Sequence, residues 1–199
     1  MSIKAIIFDT DGMVVNGEMF SVQFSRKYSI SYDLIEKFFI NEFQDCLVGK
    51  ADVKEVLQKY LPVWKWEDSV DSLLNYWFTS EHHIDQQLVD YTKDLRKRGR
   101  KCYLATNQEK YRVKYALEQM KFGQIFDQIF FSALMGYKKP QKEFFEKMMK
   151  ELASLQKHEV LYWDDVKKDV KAARDFGFYG EVYTKFEDFK EKVEEYLLN

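Results

Sequence analysis

The feature that most constrains this chain is a short apolar run, Lys4-Ala5-Ile6-Ile7-Phe8, that stops abruptly at Asp9-Thr10-Asp11-Gly12. The run is too short for a helix and has no polar alternation, which is the pattern of a strand buried on both faces of a parallel sheet. Strand alternation is expected to point Asp9 and Asp11 the same way, so their like charges repel unless a cation sits between them. Gly12 and the following Met13-Val14-Val15-Asn16-Gly17 let the chain turn sharply away. Open α/β sheets bind ligands at this edge, outside the carboxyl ends of their strands. A magnesium site fits these residues, and so does a plain Asp-Gly turn with a helix-capping Asp.

After Gly17 come roughly 65 residues without a clear strand. Apolar residues recur there at helical spacing: Phe20, Phe24 and Tyr28, then Leu34-Ile35, Phe38-Phe39 and Phe43, then Val53, Val56-Leu57 and Tyr60-Leu61 before Pro62. A fourth helix is expected from Trp66 to about Ser80. Beyond it, strands at 101–105, 128–131, 159–163 and 180–183 alternate with helices at 88–98, 109–120, 141–152, 166–176 and 186–198. Such alternation predicts α/β architecture, a doubly wound, Rossmann-like parallel sheet of about five strands with right-handed crossovers. The expected organisation is a core of residues 1–16 and 84–199 with a small helical bundle, residues 17–83, inserted as a cap. Its joints fall near Asn16-Gly17 and His83-Asp85.

Composition narrows the function classes. The 31 basic and 33 acidic residues leave a formal charge of −2, which offers no electrostatic case for nucleic acid or an anionic membrane. No apolar run approaches ~18 residues, so no membrane span is expected, and the first residues lack the pattern of a secretory leader. Cys46 and Cys102 have no CxxC partner and read as reduced thiols of a cytoplasmic protein. His82-His83 has no metal-ligand spacing with another His or Cys.

The unusual polar residues fall at one kind of place. Asp9 and Asp11 end the first strand, Thr106-Asn107 the second, and Asp164-Asp165 the fourth. All are strand C-termini and therefore share one edge of the sheet. Gly136-Tyr137-Lys138-Lys139-Pro140, ahead of a helix, can bring a lysine to the same edge. In these four segments, and in their order, the chain resembles the haloacid dehalogenase-like hydrolase superfamily over its whole length. The family's motifs are an apolar strand then DxDG, a strand ending in Thr or Ser, a Lys before Pro, and an acidic pair followed four residues on by Asp or Asn, here Asp169. The helical insert is similar to the small cap of its phosphatase branch.

The resemblance implies a Mg²⁺-dependent phosphatase acting on a small phosphorylated metabolite. Asp9 would attack phosphorus and become a transient aspartyl phosphate, and Asp11 would act as general acid and then base. Mg²⁺ would bind at Asp9, at the backbone carbonyl of Asp11, and at Asp165, with Asp164 joining directly or through water. Thr106 and the Asn107 N–H would hold phosphoryl oxygens, and Lys139, rather than its neighbour Lys138, would neutralise their charge. Thr106 would otherwise simply cap the next helix, and Asp169 would orient Lys139 or merely favour a helix N-terminus. Among polar insert residues Asn16, Glu18, Gln23, Lys50 and Asp52, Lys50 is the best candidate for touching substrate. Asp11 weighs against dehalogenation, since a departing halide needs no proton. A sugar phosphomutase and a non-catalytic binding protein that kept the fold are the alternatives.

Overall fold

The computed structural model describes residues 3–152 and 154–198. Its centre is a five-stranded, all-parallel sheet in the order β3-β2-β1-β4-β5. The strands are β1 (Ala5–Phe8), β2 (Lys101–Thr106), β3 (Gln128–Phe131), β4 (Val160–Asp164) and β5 (Tyr179–Val182). The first strand lies in the middle because its residues are apolar on both faces, and period-two alternation sorts them. Ile6 and Phe8 join Cys102, Leu104, Leu161 and Trp163 on one side. Ala5 and Ile7 join Tyr103, Ala105, Val160 and Tyr162 on the other.

Helices cover both faces. On the first side lie α6 (Gln86–Lys97), α7 (Lys110–Glu118) and α12 (Phe186–Leu198), whose Leu88, Leu95, Val113, Phe189 and Val193 are buried. On the second lie α10 (Lys142–Glu151) and α11 (Lys167–Phe176), through Phe144, Phe145, Met148, Ala173 and Phe176. Chain order runs outward from β1 to β2 and β3, then returns to β4 and β5 on the opposite side. The direction of winding therefore reverses beside β1, and a crevice opens at the carboxyl ends of β1 and β4. Trp163, bulky for its position, finds room by packing at 4.8 Å edge-to-face on Phe189.

The insert carries α1 (Phe20–Tyr28), α2 (Tyr32–Ile40), α3 (Phe43–Cys46), α4 (Val53–Gln58) and α5 (Val70–Ser80). One more helix is present than the spacing predicts, because Phe43 starts its own short turn instead of ending α2. The α5 helix begins at Val70 instead of Trp66: the Ser69 side chain accepts from the Ser72 N–H and fixes the start there. Short helices α8 (Phe122–Ile125) and α9 (Ser132–Met135) were also invisible to periodicity, being a single turn each. The insert has its own aromatic core around Phe20, Phe24, Phe38, Trp64 and Trp77.

Two strands of chain connect insert to sheet, and they pair with each other. Val15 and Ile84 form an antiparallel bridge. The Asn16 N–H donates to the His83 carbonyl at 2.8 Å, and the Asp85 N–H to the Val14 carbonyl at 2.9 Å. Asp85 also accepts from the Asn16 side chain at 2.8 Å and from the Leu88 N–H at 3.0 Å, which starts α6. Both cysteines are free and buried, and among the described residues no helix is long and apolar enough to cross a membrane.

Phe8 packs on the first face of the sheet against Phe126 and Phe189, each at 5.7 Å. Replacement Phe8→Ala should cost about 3–5 kcal/mol of stability. Urea unfolding measures it, and a loss under about 1 kcal/mol would contradict this packing.

Candidate active site

The β1 strand ends at Phe8, and its last ladder bond places Asp9 beside β4: the Asp9 N–H donates to the Trp163 carbonyl at 3.0 Å. From there the chain folds into a tight loop in which the Met13 and Val15 N–H groups both reach the Thr10 carbonyl, at 3.3 and 2.8 Å. Strand alternation therefore does not continue through Asp11. The two carboxyls differ in setting, although the Asp11 charge is still felt at Asp9. Asp9 is 6% exposed and turns inward, whereas Asp11 is exposed and accepts from Gln108 Nε2 at 2.6 Å.

Lys139 is 4% exposed, and its Nζ donates to Asp9 Oδ1 at 2.6 Å and to Asp164 Oδ2 at 2.7 Å. The side chain of Asn107 holds the lysine's backbone in place: Oδ1 accepts from the Lys139 N–H at 2.9 Å and Nδ2 donates to its carbonyl at 3.1 Å. The second and third motifs are thus tied together by hydrogen bonds. Lys138 turns away instead and donates to Gln44 of the insert. Asp164 is fully buried; its Oδ2 also accepts from the Tyr162 hydroxyl at 2.7 Å, and its Oδ1 from the Val166 N–H at 2.8 Å. Asp169 makes no hydrogen bond to Lys139 among the described residues, so Asp164 is the group that orients the ammonium. One Asp169 carboxyl oxygen is buried without a partner.

Oxygens of Asp9, Asp164 and Asp165 lie within 4.8 Å of one another. Asp165 sits directly over the first loop, where a Cβ on Gly12 would come 2.2 Å from its Oδ2. Only glycine fits there, and its φ of +78° is one that side chains disfavour. The Asp11 carboxyl is not part of this cluster. Three carboxylates with hard oxygen donors suit a divalent cation that keeps several waters. Electrostatics point the same way. Burial pushes the Asp9 carboxyl up to about 8, against the pull of Lys139, and the Asp164 and Asp11 charges add to the rise. Burial opposes the charge on Lys139, but Asp9 and Asp164 hold its pKa well above the usual value. Asp165 is likewise raised by burial and then by Asp164.

Thr106, at the end of β2, is 1% exposed. It does not cap the following helix, because Glu109 does so, accepting from the Tyr111 and Arg112 N–H groups at 2.8 and 2.5 Å. Burial raises the Glu109 carboxyl to about 7. Beside Asp11 a cavity of about 340 Å³ extends toward the insert, with Asn107 and Gln108 on the sheet side and Phe39, Phe43 and Trp77 opposite. Of the polar insert residues, Asn16 and Glu18 line it. Lys50 is exposed and does not, Gln23 bonds to the Glu18 and Ser80 carbonyls, and Asp52 pairs with Lys110.

Sequence reasoning missed Gln108, Tyr162, Glu81 and Arg112. Tyr162 and Gln108 look like core and loop residues until their partners are known. Arg112 is 4% exposed and links α7 to the insert, with Nη1 donating to the Phe78 carbonyl at 3.1 Å and Nη2 3.5 Å from Glu81. Glu81 in turn accepts from the Phe20 N–H at 2.7 Å and from Trp77 Nε1 at 2.9 Å. The Trp77-Glu81 spacing of four was the one available signal.

Residues 6–179 match the haloacid dehalogenase-like hydrolase family. Among curated proteins no match is found. A predicted HAD-like family hydrolase from Porphyromonas gingivalis is 21% identical with a TM-score of 0.82, over 100% of both chains. A HAD family enzyme from Bacteroides thetaiotaomicron, in complex with magnesium and inorganic phosphate, is 19% identical with a TM-score of 0.81, over 96% of this chain and 99% of that one. A dehalogenase is 17% identical with a TM-score of 0.64, over 89% and 83%. At these identities the likeness is one of fold.

The Asp9 carboxyl titrates near 3.8 when unfolded and at about 8 when folded, so in this interval the folded chain holds a proton that the unfolded chain lacks. The stabilisation from that proton is complete below the lower value and is lost as pH rises through the upper one. With a chelator present, melting temperatures should therefore fall for the wild type relative to Asp9→Asn between ~pH 5 and ~pH 8. A difference that stays constant across that range would show that Asp9 is not forced toward neutrality.

Proposed function

The chain belongs to the haloacid dehalogenase-like hydrolase family, and from that membership we propose that it is a Mg²⁺-dependent phosphatase of a small phosphorylated metabolite. The observation that carries the reading is the division of labour between two carboxylates. Asp9 is buried in contact with a lysine ammonium, while Asp11 is separate, exposed to the cavity and oriented by Gln108. A nucleophile needs the first environment and a proton donor to the leaving group needs the second.

In this mechanism an Asp9 oxygen attacks phosphorus as the bond to the ester oxygen breaks. Asp11 gives its proton to that departing oxygen. The Asp11 carboxylate then takes a proton from water, whose oxygen attacks the aspartyl phosphate and restores Asp9. Lys139 offsets negative charge on the phosphoryl oxygens, and Thr106 with the Asn107 N–H holds them. Asp9, Asp165 and the Asp11 carbonyl would hold Mg²⁺, which when bound supplies positive charge against the repulsion between carboxylate and phosphate dianion. Asp164 already accepts three hydrogen bonds, so its part is to orient Lys139 and Tyr162 and to reach the ion through water. The magnesium and phosphate bound by the B. thetaiotaomicron enzyme agree with this assignment.

Retention of Asp11 favours an ester over a halide, because an alkoxide is a poor leaving group without a proton. We assign residues 17–83 to a cap that encloses the reaction against residues 1–16 and 84–199, with the paired strands at Asn16-Gly17 and His83-Asp85 as its joints. Two buried free thiols suit a cytoplasmic setting.

Phosphate release from p-nitrophenyl phosphate and from an alkyl phosphate tests the roles. Asp9→Asn should abolish both. Asp11→Asn should slow the alkyl ester about 10²–10⁴-fold and the nitrophenyl ester much less, since nitrophenolate leaves unaided. Equal losses on the two esters would remove Asp11 from the proton-transfer role, and full activity in Asp9→Asn would remove the mechanism. Independently of turnover, Mg²⁺ should raise the melting temperature of the wild type but not of Asp165→Asn. An equal rise in both would place the ion elsewhere.

A further inference from the structure

The end of the cavity away from the sheet is built by one face of α2. Tyr32, Glu36, Phe39 and Ile40 follow helical spacing and all border the space, while Ile35 and Phe38 turn into the insert's own core. Phe39, Phe43 and Trp77 form an aromatic trio, with ring centroids 5.2 to 5.4 Å apart. Phe39 meets the other two nearly at right angles, at 79° and 88°. The rim is apolar as well: Met19 is 59% exposed and Ile40 62%.

Charge in this space is one-sided. Its acidic and basic residues are Asp11, Glu18, Glu36, Glu81 and Arg112. Glu18 is held by Arg26 through two bonds of 2.7 and 2.6 Å. Glu81 and Arg112 face each other, and Asp11 accepts from Gln108. Glu36 is left. It is half-buried and has no hydrogen bond or ion pair with any described residue. A carboxylate with no protein partner, on the same wall of the cavity as aromatic rings, is free to pair with a cation brought by the ligand. Ring faces attract the same kind of group, most of all a quaternary ammonium.

We propose that the substrate's leaving group is cationic: the site takes the phosphomonoester of an amino alcohol, its ammonium or quaternary ammonium group lying between the Glu36 carboxylate and the rings of Phe39, Phe43 and Trp77. This rests on the phosphatase reading, and it names the substrate class of that site. A leaving group with a second anionic group would instead meet Glu36 and Glu81, so the same walls disfavour bisphosphates and phosphorylated acids.

Phosphocholine and 3,3-dimethylbutyl phosphate share shape and phosphate and differ in one charge. With Mg²⁺ the wild type should favour phosphocholine by about tenfold or more in kcat/KM, and Glu36→Gln should reduce that ratio to about twofold or less. Equal or reversed preference in the wild type overturns the proposal, as does an unchanged ratio in Glu36→Gln. Calorimetric titration with choline and with 3,3-dimethylbutanol reads the same selectivity without turnover. Choline should bind about tenfold more tightly or better, and lose that advantage in Glu36→Gln; no advantage for choline overturns the proposal. Hydrolysis of p-nitrophenyl phosphate without charge preference sinks the cation site and spares the phosphatase. Selective choline binding without hydrolysis of any ester does the reverse.

Discussion

One buried ammonium organises this active-site edge. Lys139 reaches the carboxylates of Asp9 and Asp164 with a single Nζ, and all three groups are withdrawn from water. Neither carboxylate could be buried alone at acceptable cost, and the lysine could not be buried alone either. Each side chain therefore secures the placement of the other two. The fold meets the demand by delivering them from separate places: Asp9 from the end of β1, Asp164 from the end of β4, and Lys139 from the turn before α10. Asn107, at the end of β2, clamps the lysine's backbone from both sides.

The arrangement leaves an excess of negative charge that the protein's own cation does not cancel. Lys139 is shared by two carboxylates, and Asp165 stands beside them over Gly12. Burial first, and the neighbouring carboxylates after it, displace the Asp9 and Asp165 carboxyls upward. A divalent ion complements this edge.

Much of this was legible in the sequence, for identifiable reasons. Residues such as Ile6-Ile7-Phe8 and Leu161-Tyr162-Trp163 belong to strands buried on both faces, and an apolar run cut off by carboxylates exposes its own C-terminal end. Lys139 could be preferred over Lys138 from the adjoining proline in the family motif, and the structure gives the two lysines different partners, Asp9 and Gln44. What stayed hidden depends on contacts distant along the chain. Nothing local marks Tyr162 as the donor to Asp164, Gln108 as the partner of Asp11, or Arg112 as the link to Glu81. The alternation argument for Asp9 and Asp11 was local too, and it could not foresee that the strand gives way to a loop after Phe8. Lys50 looked attractive beside a glycine, yet Gly49 serves a close approach to the Ala133 carbonyl instead.

The doubled connection between sheet and insert has a mechanical consequence. With Val15 bridged to Ile84 and Asn16 bonded to His83 and Asp85, neither connecting strand can lengthen without breaking its pairing with the other. Sliding and wholesale detachment of the helical part are thereby resisted, and bending of the ribbon as a unit is the soft coordinate that remains. The enclosure would swing like a jaw on a single pivot. Because the pivot begins four residues beyond Asp11, each swing would set how far the aromatic wall stands from the Asp11 carboxyl.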